Sequence, residues 1–321
     1  MAISNIITGI SVVAGAGATA DIRPAAGVEY KVIDFGSQHA FVANVPDLQV
    51  AINDGVNPAC VVLVDPTTDP GKRTRQFEFY ITHDNYITLT NTGGAGANLS
   101  IIGELIRPGL TITDVALIGG GLQYDIRPPA GQTWKITELG CDVWTAGPAD
   151  INPNIRVFLT DGVTLLPIVL DPTMVRGQDK QLEIYIDHDI YLSVLDVGGV
   201  GCTIAWCGRR VPLTTINSVQ DVGIGGTLDI QPPAGQEWVV TELAAETWAG
   251  GGAPNDYPDV NVSIMVGANL SDILEAGSVA TSLRWNTPFN FKIDNTHFIR
   301  ITNINAAANE VGVVGYAQRA Y

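Results

Sequence analysis

The feature that most constrains this chain is an internal repeat. Asp21-Ile22-Arg23-Pro24-Ala25-Ala26-Gly27 returns as Asp125-Ile126-Arg127-Pro128-Pro129-Ala130-Gly131 and again as Asp229-Ile230-Gln231-Pro232-Pro233-Ala234-Gly235, with a period of 104 residues both times. A second landmark follows in each copy: Phe77-Glu78-Phe79-Tyr80-Ile81-Thr82-His83-Asp84, Leu182-Glu183-Ile184-Tyr185-Ile186-Asp187-His188-Asp189, and Phe289-Asn290-Phe291-Lys292-Ile293-Asp294. Each copy then closes on an apolar run that ends in arginine, at Arg107, Arg210 and Arg319. Three landmarks in one order exclude chance. A period this long is not that of a solenoid or a propeller blade, which repeat every 20 to 50 residues or so, so each copy is expected to fold as a domain. The boundaries fall at Arg107-Pro108-Gly109 and Arg210-Val211-Pro212, giving domains 1–109, 110–212 and 213–321.

Within a copy the apolar residues alternate with period two. In Tyr86-Ile87-Thr88-Leu89-Thr90, Ile87 and Leu89 share one face and Tyr86, Thr88 and Thr90 the other. Tyr191-Leu192-Ser193-Val194 and Phe298-Ile299-Arg300-Ile301-Thr302 repeat the pattern. Runs 29–35, 133–139 and 237–243 read as strands, each entered from a Pro-Ala-Gly or Ala-Ala-Gly turn. The 35 glycines and 18 prolines punctuate helices, and no amphipathic helical window appears. The prediction is all-β: three tandem β-sandwiches of immunoglobulin or jelly-roll type, with the jelly roll preferred. Trp134 and Trp238, with Tyr30 in the first copy, occupy one repeated strand position and read as core aromatics.

Composition excludes several functions. With 46% hydrophobic and 16% charged residues the chain is not disordered. The 17 Lys and Arg against 33 Asp and Glu give a net charge of −16, which repels a phosphate backbone, so no nucleic acid is expected. That charge divides as −4, −5 and −7 over the three copies, which suggests a solvated outer surface and not one acidic site. No charged n-region precedes Arg23, and no run of 18 apolar residues occurs, so neither a secretory signal nor a membrane span is expected. The four cysteines, Cys60, Cys141, Cys202 and Cys207, read as small reduced hydrophobes.

Chemistry-bearing patterns are few. His83-Asp84 and Asp187-His188-Asp189 place imidazole beside carboxylate, but adjacent strand residues point to opposite faces, and the third copy reads Asp294-Asn295-Thr296 before His297. A polar hairpin turn is the expectation. Cys202 and Cys207 lack a second pair for zinc. The acidic stretches 65–69 and 255–259 offer oxygen ligands suited to calcium but lack the spacing of a calcium loop. Gly119-Gly120-Gly121 and Gly250-Gly251-Gly252 read as turns, since no Gly-Lys-Ser/Thr follows either. No catalytic residue, cofactor or metal ligand is assigned.

The Asp-Ile-Gln/Arg-Pro-Pro-Ala-Gly-Gln-x-Trp turn, together with the late strand Asn295-Thr296-His297-Phe298-Ile299-Arg300-Ile301-Thr302-Asn303, resembles small β-sandwich structural proteins of bacteriophage particles. The likeness covers about a third of the chain and is strongest in the third copy; the first departs at Ala25 and Tyr30. The resemblance implies a non-enzymatic virion component: a capsid decoration or cement protein, a capsid component, a head fibre or a spike. Its partners would be other virion proteins, such as the major capsid protein or neighbouring copies, in a homo-oligomer or larger assembly formed in the host cytoplasm. The alternative is a receptor- or carbohydrate-binding spike or tail-fibre module, in which Trp144, Trp248 or Trp285 stacks on sugar rings. Trp144 and Trp248 are themselves 104 residues apart.

Overall fold

A computed structural model describes residues 6–13, 17–39, 48–65, 72–92, 97–143, 155–163, 165–169, 178–199, 201–216, 218–247, 260–275, 284–304 and 309–319. Among them there is no helix, and every paired strand is antiparallel. The first eight strands are β1 (Ile6–Val13), β2 (Thr19–Ile22), β3 (Glu29–His39), β4 (Leu48–Asn53), β5 (Cys60–Asp65), β6 (Lys72–Ile81), β7 (Tyr86–Asn91) and β8 (Ala97–Ile106). They form two sheets, ordered β1-β8-β3-β6 and β2-β7-β4-β5.

The next eight are β9 (Thr111–Ile118), β10 (Gln123–Ile126), β11 (Thr133–Val143), β12 (Ile155–Thr160), β13 (Leu165–Val169), β14 (Gln178–Ile186), β15 (Tyr191–Asp196) and β16 (Cys202–Val211). Their sheets are β9-β16-β11-β14 and β10-β15-β12-β13, the same order. After the two-residue β17 (Thr214–Thr215) come β18 (Ser218–Val222), β19 (Thr227–Ile230), β20 (Gln236–Thr247), β21 (Val260–Val266), β22 (Asn269–Glu275), β23 (Arg284–Ile293), β24 (His297–Asn303) and β25 (Asn309–Arg319). Counted from β18, the order is met a third time, as β18-β25-β20-β23 and β19-β24-β21-β22. First-eighth-third-sixth facing second-seventh-fourth-fifth is the jelly-roll arrangement, and three separate apolar clusters each fill the space between one pair of sheets.

The repeated motifs have identifiable local work. Gly27, Gly131 and Gly235 carry φ of 77°, 78° and 79°, and Val28, Gln132 and Gln236 donate their N–H to the carbonyls of Ala25, Pro129 and Pro233. This is a type II turn, whose third residue needs positive φ, and the recurrent glycine follows from that. One residue before the proline, Arg23 and Arg127 each donate Nε at 2.6 Å to the carbonyl of His83 or His188, and Gln231 donates Nε2 at 2.7 Å to that of Asn295. The two landmarks are therefore one clasp. It pins the turn after the second strand of each sandwich to the hairpin between the sixth and seventh.

Alternation holds in β7, with Ile87 and Leu89 buried and Thr88 and Thr90 half-buried. Tyr86 departs from it: on the outer face it is nonetheless buried, because the Arg23 guanidinium lies 4.6 Å over its ring, as Arg127 lies 4.4 Å over that of Tyr191. Trp134 and Trp238 pack on the core with half-buried rings, each donating its indole N–H to Gln132 or Gln236.

Candidate assembly interface

The three tryptophans proposed from sequence are not brought together by any described contact. Trp144 and Trp248 lie outside the described residues, and Trp285 is placed only by its backbone, in β23 opposite Ala245 of β20. Of the two acidic stretches only Asp65 is described, and Gly250-Gly251-Gly252 also lies outside. Gly119-Gly120-Gly121 is a turn closed by Leu122 N–H on Gly119 O. Among the described residues no cluster of His, Cys, Asp and Glu could hold a metal ion.

The His-Asp pairs sit in hairpin turns. Asp187 Oδ1 accepts from the N–H groups of Asp189 and Ile190, Asp294 Oδ1 from those of Thr296 and His297, and Thr82 Oγ1 from those of Asp84 and Asn85. The imidazoles are engaged with the clasp, His83 Nδ1 lying 2.9 Å from Pro24 O and His188 Nδ1 3.1 Å from Pro128 O. All four cysteines are free and buried. Burial pushes every thiol up; Cys202, with Asp196 adding to it, reaches about 12. Such thiols are inert at neutral pH.

What the fold does bring together is the edge of one sandwich and the outer face of the next. Strands β5 and β6, the outermost of the first sandwich, rest on the face of β9-β16-β11-β14; β13 and β14 rest in the same way on the sheet of β20, β23 and β25. At the first contact the apolar core does not stop at the sandwich edge. Val115, Ala205 and Cys207, from the outer face of the second sandwich, belong to the cluster built around Val32, Phe35 and Phe79.

An edge strand presents unpaired N–H and C=O groups that must find partners when covered. Here side chains supply them. Glu138 accepts the Glu78 N–H at 3.1 Å, Thr137 Oγ1 donates to the Glu78 carbonyl at 2.8 Å, and Asp142 accepts the Val61 N–H at 3.4 Å. Cys60 Sγ lies 3.4 Å from Thr203 O, and Asn85 Nδ2 donates to Thr113 O at 2.7 Å. Glu29 clasps the connection, its two oxygens taking Gly109 N–H at 2.5 Å and Thr111 N–H at 2.9 Å.

Glu29, Glu138, Asp142 and Asp196 are all buried. Part of the acidity is thus inside, accepting backbone N–H groups at turns and sandwich junctions, while Asp21, Asp84, Glu104, Asp125, Asp189, Asp229 and Glu237 are exposed.

On the edge itself Lys31, Glu78 and Tyr80 form a group that recurs as Lys135, Glu183 and Tyr185. Lys31 Nζ lies 3.1 Å from Glu78 and Lys135 Nζ 2.7 Å from Glu183. Burial works to raise the Glu78 carboxyl, but the Tyr80 hydroxyl, donating at 2.6 Å, and Lys31 together hold it below its ordinary range. Burial, and the hydrogen bond to Glu78, push the Tyr80 hydroxyl up. At the second contact Tyr185 meets Tyr316 of β25, with ring centroids 4.8 Å apart. An open cleft of about 730 Å³ at the junctions is lined by Arg107, Arg209, Arg210, Gln132 and Thr133, with no carboxylate or imidazole in its wall among the described residues.

Glu138, Thr137 and Asp142 were not singled out in the sequence. The available signal was Thr-Glu-Leu at 137–139 and again at 241–243, a polar pair interrupting an apolar run.

No family model and no curated protein matches the chain. Among solved structures it is similar to one described as "The Triple Jelly Roll Fold and Turret Assembly in an Archaeal Virus", at 12% identity over 97% of this chain and 89% of that one, TM-score 0.26. It is also similar to recombinant peptide:N-glycanase F, at 10% identity over 64% and 95%, TM-score 0.34, and to a structure of infectious bursal disease virus Gt strain, at 9% over 95% and 75%, TM-score 0.23. These TM-scores are too low to carry a functional argument, and the jelly-roll assignment rests on the strand order.

Proposed function

We propose that this chain is a non-enzymatic structural protein of a virus particle, a capsid-associated decoration or capsid component of a bacteriophage, made of three tandem jelly-roll domains at 1–109, 110–212 and 213–321. It acts through protein–protein contact with other virion proteins, whether the major capsid protein or further copies of itself, and is assembled in the host cytoplasm. The observation that carries the reading is the face-to-edge contact, in which side chains of one sheet face take up the backbone groups and apolar residues of another sandwich's edge. A protein whose outer faces are interfaces is suited to a shell. The Pro-Ala-Gly-x-x-Trp turn and the late Phe-Ile-Arg-Ile-Thr-Asn strand add the resemblance to phage particle proteins.

The test is immunogold labelling, with antibodies to the purified chain, of density-banded particles from the culture that carries the gene, paired with mass spectrometry of the same band. Label at regular positions on the particle, with the chain at constant copy number, supports the reading. Particles free of the chain while the lysate contains it, or a purified chain that hydrolyses or tightly binds a glycan on an array, would overturn it.

A further inference from the structure

Two face-to-edge contacts within one chain use two of the three equivalent edges and two of the three equivalent faces, and leave one of each. The leftover face is β1-β8-β3-β6. On it Ile102 is 48% exposed, although Cys207, at the same register position of the second sandwich, is fully covered. Glu104, two residues further along β8 and so on the same side of the sheet, is exposed as well. The leftover edge is β22-β23, where Leu270 is 57% exposed and Lys292 is exposed.

The registers show what would meet. Tyr80, Tyr185 and Lys292 occupy one position, opposite Lys31, Lys135 and Val239; Glu104, Arg209 and Tyr316 occupy another, opposite the same three residues on the other side. In the first internal contact Tyr80 lies within the electrostatic reach of Arg209, and in the second Tyr185 packs on Tyr316. The third pair in that series is Lys292 with Glu104, which are of opposite charge. Gly36 also stands on the open face where Gly140 stands on the covered one.

We propose that copies of this chain join head to tail, the β22-β23 edge of one copy seated on the β1-β8-β3-β6 face of the next, with Lys292 against Glu104 and Ile102 covered. The inference rests on the reading of the protein as an assembly component and names the surface through which it assembles with itself. The contact joins unlike surfaces, so it generates a ring where the rotation closes and a filament where it does not.

Sedimentation velocity on the full chain over a dilution series tests it. The wild type gains mass with concentration. Glu104→Lys and Lys292→Glu each place like charges across the contact and weaken association about tenfold or more, and the double variant, with the pair reversed, recovers most of the loss. Ile102→Asp weakens association without involving the charge pair. All these side chains are exposed, so each dilute variant is expected to unfold cooperatively as wild type does, with a slightly lowered midpoint where Glu104→Lys faces Lys31 and Ile102→Asp faces Asp34, which separates lost association from lost folding. A wild type that stays monomeric at every concentration, single variants that associate as wild type does, or a double variant no better than the singles would overturn the proposal. A monomer that still labels particles overturns this inference alone, whereas head-to-tail association by a chain absent from particles overturns the virion reading and leaves this one standing.

Discussion

Replacing Gly140 with alanine tests the covered face where it meets Val62 of the strand above it. A Cβ at this position would lie 2.9 Å from Val62 Cβ and 3.2 Å from its Cα, and closer still to one of its γ-methyls. Carbon atoms in contact settle at roughly 3.5–4.0 Å, so β5 would have to withdraw by about 0.5–1 Å. Val62 is fully buried, and its Cα cannot rotate out of the way as a side-chain tip could. Overpacking of this kind costs about 1–3 kcal/mol. Gly140 is not among the glycines of positive φ, so alanine also stiffens the unfolded chain and returns about 0.4–1 kcal/mol. The net expectation is a destabilisation of about 0.5–2 kcal/mol, read as a lowered denaturant midpoint.

The withdrawal also lengthens the Asp142 to Val61 hydrogen bond, already 3.4 Å, so amide exchange at Val61 and Glu78 should quicken ahead of exchange in β12 and β15. Adding Val62→Ala to the variant should cost less than the sum of the two single changes, because they relieve the same clash. A Gly140→Ala chain as stable as wild type, with unchanged exchange at Val61 and Glu78, would refute the argument that β5 is pressed onto this face.

Three further outcomes follow from the same geometry. Thr137→Val keeps the shape but leaves the Glu78 carbonyl only the weak Cys207 thiol donor at 3.7 Å, at a cost of about 1–3 kcal/mol, while Thr137→Ser stays near wild type by calorimetry. The Glu78 carboxyl is held below its ordinary value of 4.5, so its contribution is present at neutral pH and lost as pH falls through that value toward the folded one. Stability measured across that window should fall less steeply in Glu78→Gln. The four buried thiols should not react with a disulfide reagent at pH 8 in the native chain, and all four should react in guanidinium.

The repeat made much of the fold legible before any coordinates. A glycine after Pro-Ala announces a turn of positive φ, and the alternation at Ile87 and Leu89 announces a half-buried strand; both are local properties. What the alternation also contained, unread, was a phase shift. Inward residues fall at 134 and 136 and then at 139, at 30 and 32 and then 35, at 238 and 240 and then 243, and each shift coincides with a β-bulge at Thr137, Ile33 or Thr241. The bulge helps turn Thr137 and Glu138 together toward the neighbouring sandwich. Their partners are backbone groups of Glu78, distant in sequence and without side-chain signature, so no pattern in the strand could name them. The buried acids are silent in the sequence for a similar reason: a carboxylate that accepts N–H groups across a junction has the same composition as one in water.

The connection at 107–110, gripped by Glu29, also changes the thermodynamics of the contact it spans. Tethered surfaces meet at an effective concentration in the millimolar range, set by the tether and not by how much protein is present. The first junction is therefore complete in every molecule, however dilute. Only a contact lacking such a tether can respond to the amount of protein made. Three sandwiches on one chain thus separate what is built during folding from what waits for supply, and the number of copies in solution governs only the second.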